Sequence, residues 1–213
     1  MPLIHKEENK MIVVGLMGAA GSGKNTVGDY LNSEYGFAEE LFAWSLKQAV
    51  QTIFCIPDDI MFDRVKREEP LFHWPGWTVR TLLQFVGTEL FRNQVDRDVW
   101  VKSLALRVKE ERAKRASPLS RQPPMEKLMI TDVRFPNELD ALSNLIDDAK
   151  SHSIKVVRPG VDGKVIGIKN HESETHDMEA DFTIVNDGTI ENLWEKVDKL
   201  MEDLGIEPYP EVL

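Results

Sequence analysis

Short apolar runs alternate with segments of helical periodicity along most of the chain. "MIVVGLM" (11–17) is a β-branched run ending near glycine, the mark of a buried strand. Val27, Tyr30, Leu31 and Tyr35 follow at helical spacing, which predicts a helix from about Lys24 to Gly36. Val79, Leu82, Leu83, Val86 and Leu90 predict a second helix, and Val101, Leu104, Ala105 and Val108 a third. "KLMITDVR" (127–134) reads as a strand closed by Asp132, and Leu139, Leu142 and Ile146 as a helix after Pro136. "SIKVVRPG" (153–160) and "DFTIVNDG" (181–188) are further strand candidates. The strongest helical pattern is Ile190, Leu193, Trp194, Val197, Leu200, Met201 and Leu204, opened by a capping residue at Thr189.

Strands alternating with helices predict an α/β fold, a mainly parallel sheet covered on both faces. Two stretches depart from that layering. Residues 56–78 are rich in proline, tryptophan and charge, and residues 109–127 are basic and proline-rich, which predicts a mobile loop. The expected organisation is a polar tail over 1–10 and a single domain over 11–213, with inserted segments near 56–78 and 109–127.

Composition narrows the function without choosing it. The 213 residues are 42% hydrophobic and 29% charged, with a net charge of −10, ordinary for a globular protein and opposed to a broad nucleic-acid surface. A single cysteine, Cys55, excludes an internal disulfide framework and points to a reducing compartment. Neither a membrane-spanning run nor the apolar core of a signal peptide is visible, so a cytoplasmic location is expected.

The chemistry begins at "GLMGAAGSGKNTVGDYL" (15–31). Gly18, Gly21 and Gly23 let the backbone turn its N–H groups inward around phosphate oxygens, and the helix that follows adds its positive end. Lys24 is placed to reach the β- and γ-phosphates. The position after the lysine is Asn25, and the hydroxyl arrives one residue later at Thr26. In this G-x-x-G-x-G-K-x-T variant Thr26 can still bond a phosphate oxygen, and the variant resembles the P-loops of nucleoside monophosphate kinases more than those of GTPases or motor ATPases.

Asp132 ends a strand where a P-loop fold brings an acid near bound metal, although acids at exposed strand ends are common. Arg134 stands two residues further on, on the same side of an extended chain, with Glu138 beside the same edge. A phosphate acceptor is largely ionised at neutral pH, because the second pKa of a phosphate monoester is about 6. Such a reaction needs cations more than a base, and Lys24, Arg80, Arg134 and Arg158 lie at the ends of predicted elements. Trp100 could stack on a base or simply fill the core, and spacing favours the core. Lys47 could hold a phosphate or lie on a solvated helix face. "HESETHD" (171–177) has Thr175 where HExxH needs histidine, which rejects a zinc protease. The basic run 107–115 reads as a solvated helix end.

Taken in order, "GSGKNT", "VRTLLQFVGTELFRNQVDRDVWV", "ITDVRFPNELDAL", "KVVRPG" and "DFTIVNDGTIENL" resemble the deoxynucleoside monophosphate kinases of tailed bacteriophages. The resemblance implies a three-layer α/β/α P-loop kinase core with mobile substrate-binding and lid segments. It also implies transfer of a phosphoryl group from ATP, with magnesium, to a deoxynucleoside 5′-monophosphate, in an enzyme that is commonly a dimer. It places the ATP phosphates on Gly21, Gly23, Lys24, Asn25 and Thr26, and adenine near Asn186 and Asp187. The monophosphate and base fall to Arg80, Gly87 and Trp100, with Lys47 a further candidate. Asp132, Arg134 and Glu138 complete the substrate and metal site, Lys24, Asp132 and Arg134 being the catalytic candidates and Thr26 and Asp132 the magnesium candidates. A P-loop kinase for another small phosphorylated acceptor, such as dephospho-coenzyme A, and a non-catalytic nucleotide-binding regulator are the alternatives.

Overall fold

The computed structural model describes residues 10–63, 65–147, 149–160 and 178–209. Strand β1 (Ile12–Met17) runs into the glycine loop and helix α1 (Lys24–Tyr35), which ends where Gly36 adopts φ 69° and returns its N–H to Asn32. The chain continues through β2 (Ala38–Glu40), α2 (Trp44–Phe54), α3 (Asp58–Met61) and a 3-10 turn at Lys66–Glu68. A hairpin of β3 (Pro70–Leu71) and β4 (Trp74–Thr78) leads into α4 (Val79–Gln84) and a π-helical segment, Phe85–Arg92. Then come α5 (Val99–Ala116), β5 (Lys127–Ile130), α6 (Pro136–Ala141), a 3-10 turn at Leu142–Asn144, β6 (Lys150–Val157), β7 (Phe182–Val185) and α7 (Ile190–Leu204).

The central sheet has the order β2-β5-β1-β6-β7, and every pairing is parallel. Side chains alternate between its faces with a period of two. Val13 and Met17 of β1, with Leu128 and Ile130 of β5, join a core built with Leu46, Leu82, Trp100 and Leu104. Val14, Leu16 and Met129 point the other way, into a core with Val27, Leu31, Val197 and Met201. One layer is therefore α1 and α7; the other is α2, α4, the π segment and α5. The α/β architecture with a parallel sheet is as the hydrophobic pattern predicts. Among the described residues no helix is long and apolar enough to cross a membrane.

The structure shortens the loop expected over 109–127 and bears out the solvated helix end expected over 107–115. Helix α5 continues to Ala116, so the connection without helix is confined to 117–126. Apolar periodicity stops at Val108, but the helix is carried on by Glu110–Lys114 and Glu111–Arg115 pairs at i,i+4. The strand expected over 127–134 ends at Ile130, where the chain turns Asp132 toward α2. Strand β2, "AEE", carries no apolar signal and is identified by its pairing with β5. The tail 1–9 and "HESETHD" lie outside the described residues.

Candidate active site

In a parallel sheet every strand ends at the same edge, and ligands of open α/β folds bind beyond those carboxyl ends. Here that edge carries the glycine loop after β1, Asp132 and Arg134 after β5, Arg158 after β6 and Asn186 after β7.

Gly18, Gly21 and Gly23 all have positive φ, at 138°, 83° and 108°. Gly23 is also the residue before α1, so the loop delivers its last amides directly into a helix N-terminus. Lys24 folds over the loop, and its Nζ donates to the carbonyls of Gly18 and Ala19, the latter at 2.9 Å. Asn25 is exposed and Thr26 is half-buried in the first turn. Asn186 reaches across from β7: its Nδ2 donates to Ser22 O at 2.9 Å. A Cβ at position 23 would lie 2.4 Å from that nitrogen, so glycine there is a matter of space as well as of φ. Asn186 thus braces the loop. Asp187, beside it, pairs with Lys196 at 2.6 Å.

A pocket opens next to this loop, between α2, α4, the π segment and the turn after β5. Lys47, Arg80, Gly87, Trp100, Asp132, Arg134 and Glu138, the substrate-site candidates of the sequence, all line it. They come from four separate stretches of chain. Phe42, Leu46, Leu83 and Phe135 supply apolar wall, and Arg67, Gln84 and Thr88 complete the polar lining.

Asp132 is the hinge of the arrangement. Its Oδ1 accepts from Phe42 N at 2.8 Å and its Oδ2 from Ala43 N at 3.0 Å, just before α2 begins. A carboxylate at a helix start satisfies orphan N–H groups and meets the positive end of the dipole. Arg107 secures the same turn, with bonds to Glu40 at 3.0 Å, Leu41 O at 2.6 Å and Ser45 Oγ at 2.9 Å. The start of α2 is therefore fixed, and Lys47 is one turn further on. Lys47 is half-buried in the pocket and lies on no solvated face. Burial draws its ammonium below the usual lysine range; Asp132 opposes this, while Arg67 and Arg134 add to it.

Glu138 is buried, and its Oε2 accepts from the backbone N–H of Arg134 at 2.7 Å and of Phe135 at 3.1 Å. It holds the turn that aims Arg134 and Phe135 at the pocket. Burial, and secondarily the charge of Asp132, push its carboxyl up to about 8, against the pull of the two backbone bonds and Arg92. Arg92 closes the π segment onto the same turn, stacked 3.8 Å from the Phe135 ring centroid and bonded to Asn137 at 2.7 Å.

Arg80 is buried and donates to Glu68 at 2.5 Å, which ties the 3-10 turn at Lys66–Glu68 to α4. Gly87 allows α2 to approach: a Cβ there would meet Leu46 at 2.6 Å. Its carbonyl accepts the indole N–H of Trp100 at 3.0 Å. Trp100 packs in the core, as its spacing suggests, and also gives ring surface to the pocket. Arg158 is exposed at the edge, apart from the pocket lining.

Sequence reasoning passed over Gln84, Thr88 and Arg67. For the first two a signal existed: Arg80, Gln84 and Thr88 are polar at i, i+4 and i+8 on a helix otherwise patterned by apolar residues. Arg67 belongs to 56–78, where no periodicity marks an element. Among the described residues no cluster of three or more His, Cys, Asp or Glu could hold a metal by itself.

Residues 59–197 match the model of the family described as deoxynucleotide monophosphate kinase. A protein of Acanthamoeba polyphaga mimivirus that carries the same family name is 31% identical over 203 residues, covering 88% of this chain and 94% of its own. The deoxynucleotide monophosphate kinase of Enterobacteria phage T4 is 30% identical over 135 residues, 60% of this chain and 47% of the phage protein, so this match spans about half of that relative. Among solved structures, an unliganded sugar kinase from Janibacter sp. HTCC2649 aligns over 92% of this chain and 95% of its own, at 16% identity and a TM-score of 0.44. The resemblance carried by the ordered motifs is thus met by the family model and by the viral relatives: the chain belongs to the deoxynucleotide monophosphate kinase family.

Proposed function

We propose that the protein transfers the γ-phosphoryl group of ATP to a deoxynucleoside 5′-monophosphate, giving the diphosphate and ADP. The observation that carries this reading is the pocket itself. Lys47, Arg80 and Arg134 converge there with an apolar, tryptophan-bearing wall, beside the edge that holds the glycine loop. That combination suits a ligand with an anionic end and a flat aromatic end.

The acceptor phosphate arrives as a nucleophile needing little help, since its second pKa is about 6. The work of the site is to bring two anions together and to hold the charge that builds on the transferred group. The loop amides and Lys24 serve the donor. Lys24 resting on Gly18 and Ala19 carbonyls is a group that exchanges those partners for phosphate oxygens when nucleotide enters. Arg80 and Lys47 serve the acceptor phosphate, and Arg134 stands between. Trp100 offers ring surface to the base, an interaction worth roughly 1–3 kcal/mol.

Magnesium is part of the proposal. Mg²⁺ keeps several waters and binds through one or two carboxylates plus substrate phosphates, so it can be held without a ready-made ligand cluster, of which there is none among the described residues. Thr26 and Asp132 are its candidate holders. Each Asp132 oxygen already accepts one backbone N–H and retains a second lone pair, which fits contact through water. Bound there, the ion would neutralise charge on the phosphates.

The test is ADP release from ATP with each of the four common deoxynucleoside monophosphates, with and without magnesium. Transfer to at least one of them, dependent on the metal, is expected. ATP binding with silence toward all four would turn the reading to another phosphorylated acceptor.

A further inference from the structure

Arg80, Gln84 and Thr88 stand four residues apart along α4 and the π segment, all three are buried, and all three line the pocket. Residues so spaced lie one above another on a helix face. They make a polar stripe through a wall otherwise formed by Leu46, Leu83 and Phe135. Each step of the stripe rises on the order of 6 Å. Its far end therefore stands from Arg80 at about the reach of a nucleotide from phosphate to base.

The other polar groups of the pocket are ill-suited to telling one base from another. Lys47, Arg67, Arg80 and Arg134 are cations, drawn to phosphate whatever base it carries. Both oxygens of Asp132 accept backbone N–H groups, and one oxygen of Glu138 accepts two. The indole N–H of Trp100 is given to Gly87 O, so this residue presents a face, and every base has a face to stack on it. Apart from the indole of Trp100, the buried polar side chains of the lining that carry no ionisable group are Gln84 and Thr88. A carboxamide offers two donors and a carbonyl acceptor, a hydroxyl one donor and two lone pairs. These are the groups that match the edges of nucleobases. A π-helical turn begins at Phe85, immediately after Gln84, and such turns recur at functional sites because they re-aim side chains.

From this stripe we infer that Gln84 and Thr88 read the hydrogen-bonding edge of the acceptor base, while Arg80 holds its phosphate. The inference rests on the pocket being the acceptor-nucleotide site. Gln84 and Thr88 are then the specificity-determining residues of the enzyme.

The experiment compares Gln84→Leu and Thr88→Val with the wild type. kcat/KM is measured for the four deoxynucleoside monophosphates and expressed as ratios between bases, which do not depend on the folded fraction of a preparation. Inhibition by 2-deoxyribose 5-phosphate, a ligand with no base, is measured alongside. The expected result is a change of about ten-fold or more in at least one base ratio, with unchanged inhibition by the base-free phosphate and unchanged KM for ATP. Base ratios that stay as in the wild type, whether activity is uniformly lowered or not, overturn the inference and leave the proposed function standing. Weaker inhibition by deoxyribose phosphate without a change in ratios overturns it too, by assigning the stripe to the phosphate and sugar. A wild type that transfers to none of the four removes both readings together.

Discussion

Residues 18–26 contribute the whole glycine loop, whereas the pocket beside it draws its lining from Phe42 to Glu138. The loop is local: three positive-φ glycines and a helix start shape it, and one distant side chain, Asn186, steadies it. The pocket is assembled at long range. Asp132 at the end of β5 holds the start of α2, Glu138 holds the turn bearing Arg134, and Arg92 clamps that turn to the π segment. A phosphate common to all nucleotides can be met by backbone amides. A pocket that must accept one face of chemistry and reject others needs side chains, and side chains from several elements need carboxylates to fix them.

Two substitutions separate the halves. Lys24→Ala should lower turnover by on the order of a hundred-fold or more, as loss of a single charge-stabilising donor does, with the melting temperature nearly unchanged. Steady-state kinetics beside a thermal melt checks this, and full turnover in the variant would remove Lys24 from catalysis. Asp132→Ala should do the reverse in part. It strips the partner from two backbone N–H groups, which costs about 1–3 kcal/mol for each that remains buried. A clear fall in unfolding free energy, with a raised KM for the monophosphate and a smaller change for ATP, is expected from denaturant titration and kinetics. Unchanged stability would show that the α2 start does not depend on it.

The same contrast explains what could be read in the sequence. The loop was legible because its determinants are contiguous and its glycines are dictated by φ and space. The parallel sheet was legible because β1, β5, β6 and β7 are apolar runs. β2 was not, because "AEE" is held by its neighbour β5 and owes nothing to its own hydrophobicity. Helix α5 was legible by its apolar face to Val108 and as a solvated helix end over 107–115, while the loop expected over 109–127 overlapped it because its last two turns rest on charge pairs and not on an apolar face. Resemblance assigned Arg80, Gly87 and Trp100 to the monophosphate and base, whereas Lys47 was a candidate by its residue type alone; no periodicity says that the Gly87 carbonyl meets the Trp100 indole. Residues 56–78 were opaque because their order comes from contacts such as Arg80 with Glu68, across twelve positions of sequence.

Glu138 sharpens the comparison through pH. Its carboxyl is raised in the folded protein from the ordinary 4.5 to about 8. Between those values the folded state binds the extra proton, so this group's contribution is full below about 4.5 and is lost as pH rises through about 8. Glu138→Gln mimics the protonated form and keeps an oxygen for Arg134 N and Phe135 N. It should flatten the decline of stability across that window, as unfolding curves at stepped pH would reveal. A decline as steep as the wild type's would assign the pH dependence to other groups.

The smallest effect is expected on the opposite face, where α1 and α7 meet away from the pocket. Tyr30 and Tyr35 both donate to Asp198, the closest contacts at 2.9 and 2.8 Å, and Trp194 stacks on Tyr30 with centroids 5.3 Å apart. Burial first, and then Asp198, push the Tyr30 hydroxyl up to about 12 and raise that of Tyr35 as well. The neutral phenols are thus favoured by folding, a contribution that is full below the ordinary value of 10 and is lost as pH rises through about 12. Asp198→Asn removes the charge while keeping an acceptor, and should cost about 1 kcal/mol or less. It should also bring the phenolate absorbance in at lower pH, and leave the KM of both substrates where it was. A shift in either KM would mean that the α1–α7 contact reaches the glycine loop through α1, and that the loop is less local than its sequence makes it look.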